Sequence, residues 1–263
     1  MTKKNIKIAI PNDNPNYKLL TQNAENVIID KNIELVYGNE KEVSDLFAAG
    51  KVDIALLNPY SYGLGLKKAD YRIIPINALV SFGYSEIGTI YFKPKSQKIK
   101  KMAIVNKDNF LNKLALIIIS ENFEMEFDVT NVTEIDETWV DKFDSLIAVG
   151  KPFSQWVKMD LGDEWELLCE QPLPLAFWVC REDFKTSSLN TSVNNLLGLF
   201  AEDYKGSELN IHDEDDENIE TQRTGKLATL WNQEVEEAIN FTLEFLYYHQ
   251  QFDEMPSVKL FEN

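Results

Sequence analysis

Histidine and cysteine are nearly missing from this chain, with two of each in 263 residues. His212 and His249 form no HxH or HxxxH pair, and Cys169 and Cys180 provide neither zinc spacing nor a disulfide framework. A Ser-His-Asp triad, a Cys-His pair and a histidine-bound metal therefore lack support. Glycine is also sparse at 11 residues, and none falls in a GxGxxG, Walker or GxSxG pattern. Apolar runs such as Leu114–Ile119 are far shorter than the roughly 18 residues a spanning helix needs. Positive charge is in short supply, with 26 Lys and Arg against 43 Asp and Glu and a net charge of −17. That balance excludes a phosphate backbone and an anionic membrane as expected partners. No metal and no cofactor are expected.

What is present is an ordinary core-forming composition, 44% hydrophobic. Met1–Lys7 runs straight into a short strand with no apolar stretch of signal-peptide length, so the expectation is a cytoplasmic protein with reduced thiols. Strand-like segments alternate with helical ones: Ile6–Ile10, then Tyr17–Asn26, Lys41–Ala49 and the buried-looking strand Val52–Leu57. Ile73–Phe92 reads as extended. A second βα pattern follows in Met102–Val105, Phe110–Glu121, Glu126–Val129 and Ser145–Val149. Leu173–Cys180 reads as a returning strand, and Ser192–Phe200 and Val235–Tyr248 as amphipathic helices. The class is α/β with a mainly parallel sheet. Two crossings predict two lobes, 1–92 with 184–263 and 93–183, and a ligand cleft between them. The acidic run Asp213–Glu220 reads as a solvated loop carrying part of the net charge.

In parallel sheets, ligands sit beyond the carboxyl ends of the strands. Two loops occupy that position: Pro11-Asn12-Asp13-Asn14-Pro15-Asn16 and Asn58-Pro59-Tyr60-Ser61-Tyr62. Their amides and hydroxyls suit either turns and helix caps or a polar ligand at a helix N-terminus. A cleft of this chemistry could bind an anion or run an elimination, in which a base takes a proton and donors stabilise developing charge. Asp13 and Glu86 are the carboxylates placed for base duty, or else exposed loop acids. Lys151 ends a strand, where its cation would suit a carboxylate or phosphate, or simply sit on a turn before Pro152. Tyr60, Tyr84 and Trp156 are aromatic candidates for a ring-bearing ligand, and Trp178 reads as core.

The stretch from Ser145 to Arg181 contains Asp160-Leu161-Gly162-Asp163-Glu164-Trp165 and Pro174-Leu175-Ala176-Phe177-Trp178-Val179. Together with Val52–Leu57 and the tail from Glu237 to Phe261, it resembles the menaquinone biosynthesis family of the futalosine route, which includes chorismate dehydratase. The resemblance implies a two-lobed, type 2 periplasmic-binding-protein-like fold and a cofactor-free lyase for chorismate or a related small anionic metabolite. A monomer or homodimer is expected. By the same resemblance Pro11 and Asn14 match the family's Pro and Asn after the first strand, which makes Asn14 the catalytic candidate. The family's serine falls near Gly88, with Ser85 or Thr89 in its place. Its Ser/Thr-rich loop is replaced by Asn106-Lys107-Asp108-Asn109, and the aspartate of its Ile-Gly-Asp turn by Lys151. Loop position, the Lys151 cation and the resemblance together give the expected ligand-binding set: Pro11, Asn12, Asn58, Tyr60, Ser61, Ser85, Thr89, Asn106 and Lys151. A solute-binding protein for a phosphonate- or phosphate-like anion is the alternative reading, from the likeness of Asn58–Tyr62 to the Asn-Pro-x-Ser-Tyr loop of that class.

Overall fold

A computed structural model describes residues 5–29, 31–94, 99–123, 127–134, 142–148, 156–182, 190–201, 207–214 and 220–261. Its contacts divide into two compact units: Met1–Val80 with Leu173–Ser207 and Leu227–Asn263, and Ser81–Pro172 with Glu208–Lys226. The division departs from the expected boundaries. Residues 81–92 side with the second unit because the strand at Thr89–Phe92 is hydrogen-bonded on both edges within that unit's sheet. The strand Leu173–Arg181 sides with the first unit because it pairs antiparallel with Ile54–Leu57 there.

The first unit opens with β1 (Ile6–Pro11), a 3-10 turn at Pro15–Leu20, α1 (Ala24–Val27), β2 (Ile33–Gly38), α2 (Glu40–Ala48), β3 (Ile54–Leu57) and α3 (Pro59–Gly65). It also holds most of β4 (Tyr71–Gly83), then β10 (Leu173–Arg181), α6 (Asn190–Phe200) and α7 (Gln233–Tyr248). β1 lies between β2 and β3 and is parallel to both, and β10 lies antiparallel beyond β3. The chain leaves β1 to one side and then crosses to the other, so the carboxyl end of β1 is a topological switch point. Adjacent residues of β10 show that both faces are covered: Phe177 meets Tyr62 of α3, and Trp178 meets Phe200 of α6. β10 is accordingly buried from Leu173 to Cys180, as a strand covered on both faces must be.

The second unit contains β5 (Thr89–Phe92), β6 (Lys101–Val105), α4 (Phe110–Phe123), β7 (Asp128–Val132), β8 (Ser145–Ala148), β9 (Val157–Asp160) and α5 (Leu161–Cys169). Its sheet has the order β7-β6-β8-β5-β9. β6 is parallel to both β7 and β8, while β5 is antiparallel to β8. The arrangement β5-β8-β6-β7 therefore repeats β10-β3-β1-β2 of the first unit, with β6 in the place of β1. No sequence repeat announces it. Tyr91, Ala103, Val132, Phe143, Leu146 and Trp156 form one buried cluster here, so Trp156 is core rather than ligand surface.

β11 (Ser207–Glu214) and β12 (Glu220–Leu230) extend the first sheet beyond β4. Asp213, Glu214 and Glu220 of the acidic run are strand residues, against the loop expected, and 215–219 lie outside the described residues. The expected helix Tyr17–Asn26 is broken into the 3-10 turn and the four-residue α1. The Asn23 N–H donates to the Phe200 carbonyl of α6, which diverts it from a continuous helical ladder.

Candidate functional site

Each of the three parallel strands of the first unit leads into an asparagine that caps the next turn or helix. Asn14 Oδ1 accepts from Asn16 N–H at 2.9 Å, Asn39 Oδ1 from Glu42 N–H at 2.9 Å, and Asn58 Oδ1 from Ser61 N–H at 2.8 Å. Glu42 returns the bond to Asn39 N–H, completing a capping box visible in the sequence as Asn39-x-x-Glu42. The cap reading of these residue types therefore holds for their oxygens. Asn14 is buried, with only 3% of its surface exposed. Its Nδ2 has no acceptor among the described residues, so a ligand could take that donor.

The loops are tied together by a buried network that the sequence reading did not single out. Tyr17 Oη donates to Glu40 Oε1, and the Asn58 side chain lies beside the phenol, near enough to favour its ionised form. Burial, reinforced by the Glu40 carboxylate, holds the Tyr17 hydroxyl well above the usual phenol range, so it stays a donor. Tyr17 follows β1, Glu40 follows β2 and Asn58 follows β3, so the ends of all three strands gather around one phenol. Asp13 does not stand free as a base. Both of its carboxylate oxygens accept from Glu40 N–H, at 3.1 and 3.2 Å, which makes it a second cap for α2.

The other first-unit candidates take supporting positions. Pro11 is buried at the end of β1, and Asn12 is exposed with its N–H on the Gly38 carbonyl at 2.8 Å. Ser61 is buried in the first turn of α3, while Tyr60 is half-buried and stacked on Phe252.

In the second unit the candidate hydroxyl Ser85 lies in a turn between two left-handed residues, Gly83 (φ 62°) and Glu86 (φ 54°). Ser85 is buried with its Oγ bonded to Ser81 Oγ. Asp160, at the start of the Asp-Leu-Gly motif, holds the turn. Its carboxylate accepts from Ser85 N–H (3.1 Å), Glu86 N–H (2.9 Å) and Asp163 N–H (3.0 Å). Burial pushes the Asp160 carboxyl up to about 6, and the Asp163, Ser85 and Glu86 N–H groups oppose that rise. Glu86, the other carboxylate considered as a base, is exposed on its left-handed residue, with its Oε1 accepting from Tyr84 Oη at 3.3 Å. Thr89 is half-buried in β5, in register with Asp160 of β9.

Asn106 follows β6 as Asn14 follows β1. It is exposed at φ 58°, and its Oδ1 accepts from Asp108 N–H at 3.3 Å. Lys151 lies outside the described residues. Among the described residues, no three His, Cys, Asp or Glu side chains gather as a metal site, and no helix is long and apolar enough to cross a membrane.

The family model for menaquinone biosynthesis matches residues 7–236. Protein AF1704 from Archaeoglobus fulgidus is similar over 95% of this chain and 99% of its own, at 14% identity and a TM-score of 0.62. An ABC transporter structure from Parabacteroides distasonis matches 99% of each chain at 13% identity and a TM-score of 0.59. The periplasmic aliphatic sulphonate binding protein SsuA from Escherichia coli covers 95% of this chain and 94% of its own, at 12% identity and a TM-score of 0.58. No curated protein matches. Identities this low establish architecture alone, and the architecture is the two-lobed periplasmic-binding-protein-like fold.

Proposed function

The chain belongs to the menaquinone biosynthesis family, and from that premise we propose that it takes chorismate, or a closely related small carboxylate, as a substrate for dehydration. The observation that carries the reading is Asn14. Its oxygen is committed to a cap, its Nδ2 is left to donate, and it occupies the switch point at the end of β1. Dehydration removes a proton from carbon and expels a hydroxyl as water, and a fixed amide donor can stabilise the charge that develops between those events. The Tyr17–Glu40 bond, with Asn58 beside it, keeps the surrounding loops in place, which limits the reorganisation needed during reaction. We also propose Ser85, within the second unit, as a ligand hydroxyl. We propose a cytoplasmic setting, a monomer or homodimer, and no metal or cofactor requirement.

Incubating the purified protein with chorismate and following loss of one water by mass spectrometry tests the reading. Turnover that falls in Asn14→Ala supports it. Undiminished turnover in that variant overturns the role of Asn14.

A second reading is a solute-binding-type protein that holds a small phosphate-, phosphonate- or sulphonate-like anion without chemistry. Its support is the fold shared with a sulphonate binding protein, together with the Asn58–Tyr62 loop. Tight uptake of such an anion in calorimetry, with no product formed from chorismate, favours it over the first.

A further inference from the structure

The Asp-Leu-Gly segment is the most specific motif in the sequence, and the chemistry proposed above does not use it. The structure shows three jobs within it. Leu161 is fully buried, with its N–H on the Gly88 carbonyl at 2.9 Å. Gly162 packs so closely that a Cβ there would stand 2.4 Å from both the Gly83 carbonyl oxygen and Ser85 Oγ, and 2.7 Å from Ser81 Oγ. Asp160 caps α5 through Asp163 N–H and at the same time holds Ser85 N–H and Glu86 N–H. Capping alone needs one of those bonds. The other two reach across 75 and 74 residues of sequence to a turn that carries a candidate ligand hydroxyl.

We propose that Asp160 is the positioning residue for Ser85. Its carboxylate clamps the turn from Gly83 to Glu86 and so places the Ser85 hydroxyl beside Ser81 for the ligand. The proposal rests on the reading of Ser85 as a ligand group. Two left-handed residues flank Ser85, and the non-glycine Glu86 adopts that conformation at a steric cost. Bonds from outside the turn must offset that cost, and Asp160 provides two. Gly162 completes the clamp, since only a residue without a side chain lets α5 approach Ser81 and Ser85 this closely.

The test separates capping from positioning. Asp160→Ser keeps an oxygen that can cap α5 on Asp163 N–H but is too short to span Ser85 and Glu86 as well. Asp160→Asn is the second variant, retaining the shape and one acceptor oxygen. Chorismate affinity is measured by calorimetry for wild type, Asp160→Ser, Ser85→Ala and the double variant, with thermal melts to confirm folding. Asp160→Ser is expected to lose about tenfold or more in affinity. The double variant should bind no more weakly than Ser85→Ala alone, because the two residues act as one unit. Wild-type affinity in Asp160→Ser, or additive losses in the double variant, overturns the proposal.

The Ser85 13Cβ resonance supplies a readout without ligand. It should move in both Asp160→Ser and Asp160→Asn, and an unmoved resonance overturns the positioning role. If wild type takes up no chorismate while the resonance moves, the functional reading fails and the placement of Ser85 by Asp160 stands.

Discussion

The Tyr17 hydroxyl donates to the buried Glu40 carboxylate, joining the segment after β1 to the segment after β2. The Asn58 side chain at the end of β3 lies beside the same hydroxyl. Two loops at the switch point are thereby held by one phenol, with the third beside it, and the phenol has no need to touch the ligand itself.

Tyr17→Phe keeps the ring packing and deletes the hydroxyl, leaving the buried Glu40 carboxylate with one hydrogen bond fewer. A loss of about 1–3 kcal/mol is expected, measured by urea denaturation. Combining it with Glu40→Gln should cost less than the sum of the two single changes, because both act on one bond.

Asn14→Ser separates the cap from the amide donor. Serine is a good N-cap, so stability should stay within about 1 kcal/mol of wild type. Chorismate turnover should fall by about a hundredfold, the scale of losing one donor to developing charge. Thermal melting and the mass-spectrometric assay together decide it, and full activity in this variant contradicts the assignment.

Two helical glycines should respond to alanine with opposite signs. At Gly162 the new Cβ would lie 2.4 Å from the Gly83 carbonyl oxygen and from Ser85 Oγ, so a cost of about 1–3 kcal/mol is expected. At Gly198 the nearest atoms, from Ile76, are 3.7 and 3.9 Å away, an ordinary contact. There alanine should stabilise by about 0.5–1 kcal/mol through helix propensity. Paired denaturation curves test the contrast.

Acid should favour the folded state through Asp160. Its folded value of about 6 lies above the ordinary 3.8. The stability tied to this group is therefore fully present below the ordinary value and is lost as pH rises through about 6. The full span is about 3 kcal/mol. Urea denaturation between pH 4 and 7 should show wild type losing stability relative to Asp160→Asn across that window. Parallel curves for the two proteins would contradict the burial cause.

Much of the architecture was legible in residue order. Lys41–Ala49 carries its apolar residues at helical spacing after a capping box, and α2 forms at Glu40–Ala48. The apolar run ending at Leu57 forms β3, buried throughout. The short edge strand β9 carries no such signal, because two of its four residues, Val157 and Lys158, are exposed and its order comes from pairing with β5. Tyr17–Asn26 has helical spacing yet splits, because the Asn23 N–H goes to Phe200 across the fold.

The candidate residues divide the same way. Asn14, Asn58 and Ser85 could be named from turn chemistry and family likeness, because local hydrogen-bonding capacity is written in residue type. Tyr17, Glu40 and the double duty of Asp160 could not. Their partners lie 23 to 75 residues away in sequence, and only the register of the sheets brings them within bonding distance. By itself the sequence determined which residues can donate, cap or turn. The tertiary structure decided which of those capacities are already spent within the protein, because a hydrogen bond between distant residues depends on packing that no local pattern encodes.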